Sequence, residues 1–171
     1  MKSVLLLVIA TAAMLTTSAQ EDKSKRPSPP AFVKETLTNG TVVSVDYSQP
    51  SVKGRTIGKD LEPMNGKVWR TGANEATVVE VSKNVKVEGK TLPAGKYGLF
   101  TISGDKEWTI IFNKTWNQWG AFNYKKDDDV VRVKVKPGKA KKFAEKMTFA
   151  ISKKGTVTLL WGDLQVDFKL E

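Results

Sequence analysis

The chain has 171 residues, and its 28 Lys and Arg against 18 Asp and Glu give a formal net charge of +10. It contains no cysteine and no histidine, which excludes disulfides, thiol and imidazole catalysis, and zinc sites built on Cys or His. A basic protein can bind nucleic acid or an acidic polymer. Because the lysines are spread along strands and turns, we interpret the charge as a solvated coat and expect no nucleic-acid binding.

The N-terminus has the pattern of a secretory signal peptide. Lys2 gives a positive start, residues 4–15 form an apolar run of 12 residues, and Thr17-Ser18-Ala19 supplies the small residues of a cleavage site. The run is shorter than the roughly 20 apolar residues that span a bilayer, and no later segment is apolar enough to be transmembrane. We predict an exported bacterial chain, periplasmic or extracellular, that is cleaved near Ala19.

The rest of the chain divides into a short leader and one domain. Residues 20–30 are polar and proline-bearing without periodicity, which predicts a disordered leader. Residues 31–171 are long enough for a single domain with its own hydrophobic core. The sequence carries no signal for an oligomeric state.

From residue 31 onward, apolar residues alternate with polar ones, and turn residues separate the runs. The predicted strands are 41–47, 76–82, 85–89, 96–102, 107–113, 130–136, 147–152, 156–161 and 164–170. About nine short strands at this spacing predict an all-β fold, a jelly-roll-like antiparallel β-sandwich.

Specific pairings follow from the turns between these strands. Residues 76–82 and 85–89 are predicted to form a hairpin, residues 96–102 to pair with 107–113, and the last three strands to form a meander. The one short helix is predicted at residues 139–146.

The apolar side of the alternation predicts the core. Its members are Val43, Val45, Val79, Phe100, Ile110, Phe112, Val133, Phe149, Leu159, Val166 and Phe168.

Two long stretches, residues 48–75 and 114–129, break the strand pattern and are rich in Trp, Asn and Arg. Long irregular segments in a compact domain are usually functional or disordered. Aromatic rings beside amide, guanidinium and carboxylate groups suit a carbohydrate, and equally a peptide or an anionic envelope polymer. The candidate ligand-binding residues are Tyr47, Arg55, Trp69, Arg70, Asn74, Glu75, Asn117, Trp119 and Asn123.

Other interpretations of these residues stay open. Arg70 can pair with Glu75 and hold the long loop on the domain, with Trp69 closing the core. Glu75, with Arg70 as charge stabiliser, could also serve a carboxylate-dependent hydrolase, for which Asp46 is a candidate second carboxylate. A third alternative is a purely structural interaction protein with all five Trp buried.

The glycines form no phosphate-binding loop, and residues 127–129, three consecutive Asp, lack the Gly and Glu positions of an EF-hand. We therefore expect no cofactor and no metal site.

Five ordered motifs resemble a known family: YSQPSVKGR (47–55), GKVWRTGANEAT (66–77), LPAGKYGLFTI (92–102), EWTIIFNK (107–114) and NQWGAFNY (117–124). Over about residues 30–136 the chain resembles the bacterial domain-of-unknown-function family 2911 (DUF2911). The resemblance implies an exported β domain, mostly of Bacteroidetes, and implies no activity and no catalytic residue. We expect a non-catalytic binding or scaffold domain of the periplasm or cell surface, with carbohydrate or envelope polymer as its ligand class.

Overall fold

A computed structural model describes residues 22–171, so the predicted signal peptide lies outside the described residues. No helix within residues 22–171 is long and apolar enough to cross a membrane. The strands are β1 (Pro30–Thr36), β2 (Val42–Ser48), β3 (Val68–Trp69), β4 (Thr77–Val81), β5 (Val85–Val87), β6 (Lys90–Leu92), β7 (Gly95–Ile102), β8 (Trp108–Asn113), β9 (Asp129–Val135), β10 (Gly138–Ile151) and β11 (Thr156–Lys169). Two 3-10 turns, Lys23–Lys25 and Lys126–Asp128, complete the elements.

The main sheet has seven strands in the order β1-β2-β4-β7-β8-β9, with β3 paired beside β4 on the same edge of β7. All its named pairings are antiparallel. Strands β10 and β11 form a long hairpin, and β5 with β6 a short one. The all-β antiparallel prediction is therefore confirmed, with the main sheet running as an open meander.

The main core lies between one face of the main sheet and the β10–β11 hairpin. Phe112 of β8 meets Phe168 of β11 edge to face at 5.8 Å between ring centroids, and Tyr47 of β2 meets Phe149 of β10 at 5.0 Å. Every predicted core residue is buried, and all but Phe100 belong to this main core, because two-residue alternation places alternate side chains of a strand on one face.

Phe100 is buried on the opposite face from the other predicted core residues. It packs in a second cluster with Ala76 and Ile111, while its neighbour Leu99 faces the main core. The prediction of a single phase is wrong at Phe100, since β7 is buried on both faces. The loop after β8 covers the sheet here, and Tyr124 lies 5.1 Å from the Phe100 ring.

The predicted helix at residues 139–146 is wrong, because this segment belongs to β10. The register between β10 and β11 shifts twice, between Lys139 and Ala144 and between Ala144 and Thr148. These irregularities leave the inward-facing residues Ala140, Ala144 and Met147 spaced by four and three positions. That spacing imitates a helix, although it comes from a bulged strand.

The predicted hairpin of residues 76–82 with 85–89 is also wrong. Strand β4 lies between β2 and β7, and β5 pairs instead with β6. Glu88 and Gly89 between them have φ of 46° and 80°, and two positive φ angles are what a tight two-residue hairpin turn requires. The predicted pairing of residues 96–102 with 107–113 is confirmed as β7 with β8.

The closing meander has two strands where we predict three. Residues 156–169 form one strand, β11, that passes through Gly162 opposite Ala144. Gly162 has φ of 58° and lies at a bulge, where such a φ is common, so it bends the strand without ending it. The predicted turn at Lys154-Gly155 is present between β10 and β11.

Candidate functional site

Part of the outer face of the main sheet, the face away from the hairpin, is left open. Its residues are set by register: Phe32, Asp46 and Val78 stand opposite one another across β1, β2 and β4. Ser44, Glu80 and Lys96 form the next row. Because alternate residues of a strand face opposite sides, these side chains point away from the core.

Three adjoining clefts of about 220, 180 and 230 Å³ lie on this face. Neighbouring clefts share walls, so together they form one trough, which we call the outer groove. The shared wall residues are Asp46, Val78 and Trp116 for the first two clefts, and Phe32, Ser44 and Glu80 for the last two. The groove follows β2 from Ser48 to Val42, about 20 Å at the rise of an antiparallel strand.

Trp116 forms one wall of the groove because the sheet lacks a side chain beneath it. Gly98 of β7 stands opposite Val78, and a Cβ on Gly98 would lie 3.3 Å from the Trp116 Cα and 2.8 Å from the Phe100 ring. The absent side chain lets the loop after β8 approach the sheet. Trp116 is 38% exposed, and the Lys96 Nζ lies 5.6 Å from the centroid of the Trp116 ring.

The two irregular stretches meet at one end of the groove. The Ala76 N–H donates to the Gln118 carbonyl at 3.0 Å, and the Gly120 N–H to the Asn74 carbonyl at 3.0 Å. Glu75 and Trp119 thus face each other as an isolated antiparallel bridge. Backbone pairing therefore brings Asn74, Glu75 and Trp119 together from separate loops.

Residues 22–29, which we call the leader segment, lie against this meeting point. Lys23 Nζ donates to Glu75 Oε1 at 2.8 Å, and Arg26 Nη1 donates to both Glu75 oxygens at 3.0 and 3.1 Å. The Arg26 guanidinium also lies 5.7 Å from the Trp119 ring centroid. Asn74 Nδ2 donates to the Ser28 carbonyl at 2.9 Å.

The leader segment lowers the pKa of Glu75. Partial burial acts to raise its pKa, but hydrogen bonds from Lys23, from its own backbone N–H and from Arg26 outweigh that effect and lower the pKa to about 2. Glu75 therefore stays ionised at lower pH than an ordinary glutamate does.

Asp46 shares the first cleft with Glu75 and is perturbed in the opposite direction. Burial raises the pKa of Asp46, with Lys23 opposing this and the nearby Glu75 charge adding to it. One end of the groove thus carries a carboxyl group that protonates more readily beside one that stays ionised.

The predicted pairing of Arg70 with Glu75 is wrong. Within residues 22–171 Arg70 makes no ion pair, and its buried Nε has no hydrogen-bond partner. Burial lowers the pKa of Arg70, and the Glu62 charge opposes the shift. The cations of the leader segment occupy Glu75 instead, which the sequence alone did not indicate because they lie 52 and 49 positions away.

The remaining predicted ligand residues fall into different environments. Asn117 lines the groove. Tyr47 lines it by one edge, and its buried hydroxyl accepts from the Phe149 N–H at 3.2 Å. Trp69 is buried in the main core with its Nε1 donating to the Gly72 carbonyl at 3.0 Å. Asn123 is exposed on the loop beyond Gly120.

Arg55 lies at a separate cleft of about 610 Å³, where Trp108, Trp161, Ile57 and Phe143 supply apolar walls. The Arg55 guanidinium donates to the Val52 and Ser51 carbonyls at 3.1 and 2.8 Å. This cleft could not be predicted from the sequence, since its walls come from four distant segments.

Trp116 and Trp119 are partly exposed, whereas Trp69, Trp108 and Trp161 are buried. The structure thus differs from the all-buried arrangement of the third alternative. In the part of the chain from residue 22 onward, no group of three acidic side chains is arranged to hold a metal ion.

Comparison with known families places this site in context. The family model described as "Protein of unknown function (DUF2911)" matches residues 28–170, so the chain belongs to that family. The match extends the resemblance of the central motifs through β10 and β11. No curated protein and no solved structure matches the chain.

Proposed function

We propose, for a member of a family whose function is unknown, that this chain is an exported, non-catalytic binding domain that holds a carbohydrate or envelope polymer in the outer groove. The observation that carries the proposal is the continuity of the three clefts through shared walls. Each cleft is smaller than the roughly 300–1,000 Å³ of a typical small-molecule pocket. A trough about 20 Å long suits a segment of an extended polymer better than a compact ligand.

The side chains of the groove support a carbohydrate ligand. Phe32 and Trp116 are exposed aromatic walls, and aromatic rings cover the C–H faces of sugars. Asp46, Glu80 and Asn117 supply acceptors and an amide for hydroxyl groups. Lys96 bonds to Glu80 at 3.5 Å, so the floor carries charges of both signs and suits many hydroxyls better than one dense anion.

Binding is favoured over hydrolysis by the environment of Glu75. Both Glu75 oxygens accept hydrogen bonds from the leader segment, and a carboxylate held in this way is a poor base or nucleophile. Arg70, the charge stabiliser of the hydrolase alternative, makes no ion pair with Glu75 among the described residues.

Affinity electrophoresis and titration calorimetry with a panel of soluble neutral and acidic polysaccharides test the proposal. Trp116→Ala and Phe32→Ala should each weaken binding by about tenfold or more, by analogy with the roughly 1–3 kcal/mol that is lost when an aromatic side chain stacked on a nucleic-acid base is removed. The matched control is Phe122→Ala, which removes a ring that is 82% exposed outside the groove. All three variants should keep the parent unfolding midpoint.

Two results would contradict the proposal. One is that no polysaccharide of the panel binds. The other is that Trp116→Ala and Phe32→Ala bind the polysaccharide as tightly as the parent chain does. The export part rests on the predicted signal peptide, and N-terminal sequencing of the secreted product should begin at or near Gln20.

A further inference from the structure

The strongest contacts around Glu75 and Trp119 are made by the chain's own leader segment. We call Glu75 and Trp119 the cation site, because an anionic carboxylate and an aromatic ring together hold Arg26. The Arg26 side chain is only 13% exposed, although it comes from a segment whose composition predicts disorder.

The leader segment contributes no residue to the main core. Its 3-10 turn has no buried residue, and the main core draws its members from residue 31 onward. Two hydrogen bonds also reach the leader segment, from Asn74 Nδ2 to the Ser28 carbonyl at 2.9 Å and from the Gln49 N–H to the Pro29 carbonyl at 2.8 Å. Such a segment can leave without opening the core, since no residue of its 3-10 turn is buried and the main core begins at residue 31.

The contacts also select particular positions of the leader segment. Lys23 and Arg26, three positions apart, both reach Glu75. Lys25, between them, is 84% exposed in its side chain, and among residues 22–171 it pairs only with Asp22, three positions before it, at 3.5 Å. Contact with Glu75 therefore depends on the spacing of two cations and not on the total positive charge.

We propose that the cation site is a recognition site for a basic peptide segment whose turn presents this Lys-x-x-Arg spacing, and that the leader segment is its occupant in cis. An ionised carboxylate with two charge-assisted hydrogen bonds, completed by an aromatic face for the guanidinium, is the chemistry that recognises arginine in a peptide. The inference is separate from the carbohydrate proposal, although Lys23 and Glu75 also line one end of the outer groove.

Tethering explains why the site is filled. A short linker gives the leader segment an effective concentration on the order of millimolar at its own site. A partner peptide in solution must exceed that concentration or bind more tightly. The site should therefore be closed to peptides in the intact chain and open once the leader segment loses its two cations.

The test uses the whole mature chain and a fluorescently labelled peptide of residues 22–30, DKSKRPSPP. Fluorescence anisotropy should detect binding to the double variant Lys23→Gln/Arg26→Gln, and at least tenfold weaker binding to the parent chain. The matched control variant is Lys25→Gln, which removes the same charge from the same turn and should behave as the parent. Because the chain has a formal net charge of +10, long-range attraction does not favour a basic peptide.

Specificity is tested on the opened double variant. Adding Glu75→Gln, or replacing Arg26 by Gln in the peptide, should lower binding at least tenfold, and replacing Lys25 in the peptide should not. The proposal is overturned if the opened variant does not bind the peptide, or if it binds equally well with Glu75→Gln. Binding of polysaccharide, and its loss in Trp116→Ala, is measured separately, so a failure of either proposal leaves the other standing.

Discussion

Phe112→Ala is the change that most directly tests the packing of the two layers. Phe112 is fully buried in β8, and its ring contacts Tyr97 at 6.3 Å and Phe168 at 5.8 Å between centroids, both edge to face. Removing a buried Phe ring costs about 3–5 kcal/mol of unfolding free energy, through lost transfer energy and the cavity that remains. Each edge-to-face pair contributes about 0.5–1.5 kcal/mol beyond area burial, which puts the expected loss in the upper half of that range.

Urea unfolding followed by tryptophan fluorescence measures the loss. The midpoint should fall with an unchanged m-value, because the surface exposed on unfolding stays nearly the same. A double-mutant cycle with Phe168→Leu should give a coupling of about 0.5–1.5 kcal/mol, since Phe168 belongs to the opposite layer.

The control is Phe122→Ala, which removes the same side chain from an exposed position and should change stability by less than about 0.5 kcal/mol. A loss below about 1 kcal/mol for Phe112→Ala would refute the packing of β8 against the hairpin. A normal loss with no coupling to Phe168 would refute only the contact between the two rings.

Three further predictions concern single groups. The pKa of Glu75 is about 2 against an ordinary 4.5, so its contribution to stability is present above about pH 4.5 and is lost as the pH falls toward 2. In Glu75→Gln the unfolding midpoint should therefore change less with pH over that range than in the parent chain. Parallel plots of midpoint against pH for the two proteins would contradict this prediction. Gly155→Ala should destabilise the chain much more than Gly54→Ala, because both have positive φ but only the Gly155 Cβ would overlap a backbone atom, the Leu170 carbonyl oxygen; equal thermal midpoints would contradict the turn geometry. Burial and the hydrogen bond to Asp129 raise the pKa of Tyr124 to about 12, so a tyrosinate absorbance step near that pH should disappear in Tyr124→Phe, and an unchanged titration would count against the assignment.

Much of the cation site could not be predicted, and the reason is sequence distance. The sequence indicates that Asn74, Glu75 and Trp119 are of interest because they lie in long irregular stretches. It does not indicate that Arg26, 49 positions before Glu75, is the partner, since contacts over that distance depend on how β1 and β2 place the leader segment. Arg70 is closer to Glu75 in sequence but not paired with it, so proximity along the chain was the wrong guide.

The sequence by itself determined the class of the fold and most of its core. Alternation at a period of two is a local property of each strand, and so Val43, Val45, Phe112 and Phe168 were identified as buried without knowledge of any partner strand. Tertiary structure decided which strands pair, where bulges interrupt β10 and β11, and which side of β7 receives Phe100. It also decided the outer groove, because a groove exists only where aligned registers place Phe32, Asp46 and Val78 in one row and Gly98 admits the Trp116 loop. Local sequence pattern specifies which environment a residue prefers, whereas strand pairing and register specify which residues it contacts.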